Sequence, residues 1–82
     1  MISCDDYDYI EVACMYRYEI KLTMKSGRLI EGVAVDTVRD ELRKECIKVK
    51  TIDEEAKLVV LDDVLKMTAQ TSNPYFNEVV FN

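Results

Sequence analysis

Apolar and polar residues alternate with a period of two through much of the chain after residue 17. The clearest stretch runs from Tyr18 to Met24, where apolar side chains alternate with Glu, Lys and Thr. Successive side chains of a strand point to opposite faces, so this pattern predicts a strand with one buried face. The segment Lys25–Arg28 then predicts a tight turn, in which Gly27 is free to adopt a positive φ.

Similar alternation and short apolar runs predict five further strands. Charged or polar connections separate them, including a highly charged loop over residues 39–45. Gly32 lies inside the second strand, where a side chain would obstruct a sharp bend or a close backbone approach. We interpret Asp62-Asp63 as the turn into the fifth strand rather than as a metal-binding pair. The predicted strands cover residues 29–38, 47–51, 57–61, 64–69 and 78–81.

Near the N-terminus, over residues 3 to 15, the spacing of apolar residues is that of a helix. Three apolar residues spaced three and four apart form one stripe of this helix: Tyr7, Ile10 and Cys14. Asp8 and Glu11 lie three residues apart on a different face, so we expect them to face water. Either Ser3 or Asp5 can cap the helix, because each is followed three residues later by an acid.

One short helix followed by five to six strands within 82 residues predicts a mainly β fold. We expect a small, strongly bent antiparallel barrel, since closing the sheet removes exposed edge strands that would promote aggregation. A chain of this length forms a single domain, 1–82, with one modest core. Within it the sequence predicts an acidic helix at about 3–15, a barrel at about 17–70 and a C-terminal strand or tail at 71–82.

The net charge of −5 is concentrated at the N-terminus, because the first 14 residues hold four acids and no Lys or Arg. The other 68 residues hold 12 acids and 11 bases. Such a segment suits a basic partner. It is also consistent with a solvated helix end whose acids interact favourably with the helix dipole. A pI near 4.6 argues against general binding to nucleic acid, whose phosphates would be repelled.

The residue types present exclude several kinds of chemistry. The chain has no histidine, which excludes imidazole acid–base catalysis, His metal ligation and a Ser-His-Asp triad. On a helix, Cys4 and Cys14 would lie about 15 Å apart, too far for a disulfide, so we expect reduced thiols. With no secretory signal and no apolar run near the roughly 20 residues that span a bilayer, we expect a cytoplasmic protein. We expect no enzymatic activity, cofactor, metal or membrane association.

The strand order and glycine spacing resemble the Sm-like fold, in which a helix leads into five bent strands. Tyr18-Glu19-Ile20-Lys21-Leu22, Gly27, Gly32 and Asp36 fit its first motif, and residues 60–67 fit its second. Sm proteins that bind RNA usually carry an Asn soon after this Asp and an Arg- or Lys-Gly pair in the second motif. Both are missing here, although an Sm-like RNA-binding module remains the alternative function. We interpret Tyr16 and Tyr18 as packing residues rather than as a base-stacking platform.

The N-terminal segment resembles a more specific family. Cys4-Asp5-Asp6-Tyr7-Asp8, followed by Glu11 and Ala13-Cys14, is similar to the opening of the Rho-binding antiterminator family, Rof or YaeO. Those small acidic bacterial proteins carry an N-terminal helix on an Sm-like barrel. The resemblance implies binding to the RNA-binding N-terminal domain of the termination factor Rho, which blocks RNA loading and inhibits Rho-dependent transcription termination.

The same resemblance implies which residues meet Rho. Carried onto this chain, Tyr7, Asp8 and Glu11 would be the contacts from the helix, and Asp5 and Asp6 would add to its negative field. Arg43 and Lys44 are further candidates, because their charged loop is predicted to lie beside the helix. Carboxylates form charge-assisted bonds with the Arg and Lys that any RNA-binding surface must carry. We expect a monomer when free, with no direct contact to nucleic acid.

Overall fold

The computed structural model describes residues 3–81 of the chain. One helix precedes six strands, and each boundary agrees with the sequence-based prediction to within two residues. A short 3₁₀-helix, Leu61–Asp63, makes the predicted connection between the fourth and fifth strands. The elements are α1 Cys4–Met15, β1 Glu19–Met24, β2 Leu29–Arg39, β3 Glu45–Lys50, β4 Ala56–Val60, β5 Val64–Ala69 and β6 Glu78–Val80.

The strands form one antiparallel sheet in the order β4-β3-β2-β1-β5-β6. The mainly β architecture with one N-terminal helix is confirmed, but the sheet is not closed into the predicted barrel. Closure of these six strands would require β4 to pair with β6, whereas the described part of the chain pairs β6 with β5, for example Val79 with Met67. The C-terminal strand therefore extends the sheet, and β4 and β6 are its two edges.

The pairing of β2 with β3 is irregular at one point. The pairing shifts between Ala34 and Asp36, a bulge that increases the local twist. At Gly32 the neighbouring backbone leaves no room for a side chain. A Cβ atom there would lie 2.5 Å from the carbonyl oxygen of Lys50 and 2.6 Å from Cγ1 of Val49. The close approach expected from the sequence is therefore confirmed.

Helix α1 packs on the inner face of this bent sheet and is fixed at both ends. Ser3 is its N-cap, where the side-chain oxygen accepts a hydrogen bond from Asp6 N–H at 3.2 Å. At its C-terminus Tyr18 N–H donates to the carbonyl of Ala13 at 2.9 Å, and Arg17 adopts φ 54°. This arrangement resembles a Schellman motif, whose left-handed position is usually a glycine. It directs the chain from the helix straight into β1.

The core lies between α1 and the sheet. The predicted helical stripe is buried at Ile10 and Cys14, and Tyr7 is half-buried against the same core. The predicted alternation in β1 is also confirmed, because Ile20 and Leu22 are almost fully buried. Cys4, Cys14 and Cys46 are free thiols, of which only Cys4 is exposed. Within residues 3–81 no helix is long and apolar enough to cross a membrane.

Candidate protein-interaction site

The acidic face of α1 consists of four carboxylates in the first eight residues of the helix: Asp5, Asp6, Asp8 and Glu11. Asp5 and Asp6 occupy the first turn, where carboxylates interact favourably with the helix dipole. Asp5, Asp8 and Glu11 are exposed, as the helical period predicts, whereas Asp6 is half-buried. The face is therefore open to solvent and has a fixed orientation, because the buried stripe holds the helix on the sheet.

The loop between β2 and β3 is ordered by one carboxylate. Oδ1 of Asp40 accepts hydrogen bonds from the backbone N–H groups of Leu42 and Lys44, both at 2.9 Å. The Asp40 backbone also bonds to Lys44 and Arg43, and Arg43 adopts φ 63°. These bonds hold a tight turn that exposes the side chains of Arg43 and Lys44.

Helix, loop and 3₁₀-helix enclose a cleft of about 660 Å³, which we call the loop cleft. The structure thus brings together Tyr7 and Asp8, which the resemblance assigns to partner binding, and Arg43 and Lys44, the further candidates from the charged loop. The cleft carries both signs of charge, so it can pair with acidic as well as basic groups of a partner. Its lining residues are Cys4, Tyr7, Asp8, Arg39, Arg43, Lys44, Glu45, Leu61 and Asp62.

Glu11 belongs to a different part of the surface. It lines a groove with Arg17 and Asp36 at the junction of α1 and β2. The Arg17 guanidinium donates to the carbonyl of Val35 in this groove. Asp8 and Glu11 share the acidic character of the helix but open onto separate depressions. A substitution of Glu11 therefore tests this groove separately from the depressions that Asp8 lines.

Cys14 lies under the groove that contains Glu11. Burial is the main cause that raises the pKa of its thiol to about 11, and the negative charge of Asp36 adds to the shift. The thiol is therefore protonated at neutral pH and unsuited to nucleophilic chemistry. Its role in this site is to pack the helix against β2.

A second cleft, the tyrosine cleft, lies on the other side of Asp8. It is lined by Asp5, Asp8, Tyr9, Val12 and Tyr75 and measures about 320 Å³. Sequence reasoning missed Tyr9 and Tyr75. A signal for Tyr9 exists in its spacing of three residues from Val12, but no local pattern places Tyr75 beside the helix.

The prediction for the neighbouring tyrosines was half right. Tyr18 is buried, as expected of a packing residue, but Tyr16 is 51% exposed. Tyr16 stacks between Tyr18 and Tyr75, with ring centroids 5.8 Å and 5.7 Å away. The stack forms because the 70–77 segment returns to the end of α1, a tertiary contact that the spacing of Tyr16 and Tyr18 does not reveal.

Comparison with known proteins identifies the family of this chain. Residues 1–81 match the profile of the family described as modulator of Rho-dependent transcription termination (ROF). The chain belongs to this family. The resemblance drawn from the N-terminal segment is confirmed. The family description assigns a regulatory role rather than a catalytic one.

Individual Rof relatives agree in sequence and in structure. The chain is 40% identical over 37 residues to Protein rof from Escherichia coli (strain K12) and from Shigella flexneri. Each match spans 45% of this chain and 44% of the relative, less than half the length of these curated proteins. The structure of YaeO bound to magnesium from Vibrio cholerae O395 matches with a TM-score of 0.87 and 41% identity. That match covers 93% of this chain and 97% of the other.

The acidic and thiol side chains of this Rof-family chain are dispersed. In the part of the chain from residue 3 to residue 81, no group of three or more Cys, Asp or Glu side chains is placed to hold a metal ion. Asp62 and Asp63 lie in the 3₁₀-helix that connects β4 and β5, in agreement with their interpretation as a turn.

Proposed function

We propose that this protein inhibits Rho-dependent transcription termination by binding the RNA-binding N-terminal domain of Rho, so that RNA cannot load. The acidic face of α1 and the loop cleft form the contact surface, with Tyr7, Asp8, Arg43 and Lys44 at its centre. Asp5, Asp6 and Glu11 contribute at its margin. The protein acts by occupying the RNA-binding surface of Rho and performs no chemistry on Rho or on RNA.

The observation that carries this proposal is the placement of exposed Asp8 at the rim of a cleft bordered by a rigid loop. A surface that holds RNA carries Arg and Lys, and a carboxylate presented to it forms charge-assisted hydrogen bonds. Opposite charges also steer the two proteins together and raise the association rate. Because hydrogen bonds to Asp40 fix the loop, Arg43 and Lys44 are positioned before the partner arrives.

Displacement of RNA from Rho tests the proposal. Labelled single-stranded RNA bound to Rho is titrated with this protein, and the anisotropy of the label reports release. We expect wild-type protein to release RNA and Asp8→Lys together with Glu11→Lys to lose this activity. The reversal places like charges against a basic site, which costs several kcal/mol on the usual scale for such contacts.

The matched control is Asp53→Lys together with Glu55→Lys. These exposed acids lie in the β3–β4 turn, at the opposite end of β3 from the loop cleft, and the net charge changes by the same amount. We expect this variant to release RNA like wild type. Equal loss in both double variants would assign the effect to net charge and contradict the proposed surface. Binding of RNA by the isolated protein would favour the Sm-like RNA-binding alternative.

A further inference from the structure

The tyrosine cleft combines carboxylates with aromatic rings and lacks a balancing cation. Asp5 and Asp8 are exposed, and Tyr9 and Tyr75 form the aromatic part of its lining, where their side chains are 37% and 50% exposed. None of the five described residues that line it is Lys or Arg. The cleft therefore has a negative potential and polarisable walls open to solvent.

The aromatic wall is built before any ligand arrives. The Tyr16 and Tyr75 rings stack with an interplanar angle of 15°, and their hydroxyl oxygens are 3.4 Å apart. Tyr9 meets the buried ring of Phe76 edge-on at 5.5 Å. The side-chain oxygen of Asn73 accepts hydrogen bonds from the backbone N–H groups of Tyr75 and Phe76, at 2.9 and 3.0 Å.

This combination fits the side chain of arginine. A guanidinium stacks on aromatic faces, forms bidentate bonds with carboxylates and is weakly hydrated, so it loses little on leaving water. The phosphates that accompany a nucleobase would meet the field of Asp5 and Asp8 and be repelled. The lining thus favours a cationic protein side chain over RNA.

We infer that the tyrosine cleft receives an arginine side chain from the RNA-binding surface of Rho and extends the contact beyond the loop cleft. The inference rests on the proposed function. Charge complementarity identifies the occupant of the tyrosine cleft as a cation. Rho is its source because Asp8 lines both clefts, so the tyrosine cleft continues the proposed contact surface. An RNA-binding surface supplies arginines close together, and two clefts that share one wall can accept neighbouring side chains from it.

The test replaces the ring while keeping an apolar side chain. Tyr75→Leu is expected to weaken Rho binding about 3- to 30-fold, the range of a cation–π contact at an exposed to a desolvated site. Tyr75→Phe keeps the ring and should stay within about twofold of wild type. Leu58→Ala is the control, since Leu58 is also 50% exposed but lies on the β4 edge. Binding is measured by calorimetry, and thermal unfolding checks that each variant is folded.

A second experiment tests the carboxylates of the tyrosine cleft. It changes the helix rather than the 70–77 segment, so its result does not depend on whether Tyr75→Leu folds. Asp5→Asn, an exposed change in the first helical turn, should weaken binding about 3- to 10-fold because hydrogen bonds to charged groups exceed neutral ones. Combined with Tyr75→Leu, it should weaken binding by less than the product of the two single effects, because both variants lose the same arginine.

The outcomes separate this inference from the proposed function. Wild-type protein that fails to bind Rho would contradict both. Wild-type binding with unchanged affinity in Tyr75→Leu or in Asp5→Asn would contradict the arginine site and leave the loop cleft as the contact. Binding of isolated single-stranded RNA that Tyr75→Leu abolishes would overturn the inference, because the cleft would then stack bases.

Discussion

Gly32 shows how one residue permits the close approach of two paired strands. Its α-carbon faces the carbonyl of Lys50 and a methyl group of Val49 across the β2–β3 pair, and both lie well inside contact distance of any added carbon. The nearer of the two is backbone, which cannot rotate away as a flexible side chain would. A substitution must therefore separate two paired strands.

We predict that Gly32→Ala lowers the free energy of unfolding by about 1–3 kcal/mol, the usual range for overpacking. Urea denaturation followed by circular dichroism measures it. The control is Glu31→Ala, which also places an alanine in β2 but at an exposed position. If the two variants were equally stable, the strands would not approach as closely as described.

The buried thiol of Cys14 is expected to make the free energy of unfolding depend on pH. Folding raises the pKa of its thiol from 9.0 to about 11, so the unfolded chain loses this proton first. The contribution is fully present below about pH 9 and is lost as the pH rises toward 11. We expect the stability of wild type to fall more steeply from pH 9 to 11 than that of Cys14→Ala. Parallel curves in denaturant titrations would exclude Cys14 as the cause.

At the scale of elements, the β2–β3 loop is the part of the site whose order depends on one side chain. Two backbone N–H groups converge on Oδ1 of Asp40, and the loop exposes Leu42, Arg43 and Lys44 to solvent. Without that acceptor these amides would bond to water, and the backbone would gain conformational freedom. The basic side chains at the loop cleft would then lose their fixed position.

We predict that Asp40→Ala accelerates amide hydrogen exchange at Leu42 and Lys44 and weakens Rho binding. The matched variant Asp40→Asn keeps a side-chain carbonyl oxygen as the acceptor and should exchange nearly as slowly as wild type. Nuclear magnetic resonance measures exchange at each amide. Equal exchange rates in Asp40→Ala and wild type would mean that other contacts hold the loop.

Sequence patterns predicted the elements better than their arrangement. The alternation around Ile20 and Leu22 is local, so strand positions follow from it directly. Whether the sheet closes depends on whether its two edge strands, β4 and β6, meet, and no local pattern shows this. The same limit applies to the site. Helical period predicted exposed Asp8, but the place of Tyr75 depends on how the 70–77 segment folds back.

At the scale of the whole molecule, the charge is asymmetric. Four acids and no bases lie in the first 14 residues, whereas the rest of the chain is nearly balanced. Asp8 of this acidic segment lines both clefts, and the described lining of the tyrosine cleft adds Asp5 and no Lys or Arg, so negative charge is concentrated there. A neutral body with one acidic face is suited to oriented encounter with a basic partner.

We predict that the complex with Rho weakens as salt rises from about 50 to 300 mM, because the Debye length falls to less than 10 Å. Some affinity should persist at high salt, since burial of Tyr7 and of the aromatic rings is not screened. Calorimetric titrations in a salt series measure the slope. The isolated protein should not bind single-stranded RNA at any of these salts, and salt-independent Rho binding would contradict an interface based on charge.

The tyrosine stack also gives the molecule an optical signature. The chain has no tryptophan, and four of its five tyrosines, Tyr9, Tyr16, Tyr18 and Tyr75, belong to the aromatic cluster at the end of α1. Stacked phenol rings couple their electronic transitions, so near-ultraviolet circular dichroism and intrinsic tyrosine emission arise largely from this one place. A cation entering the cleft would change both signals, and the protein therefore carries a built-in reporter of its own binding surface.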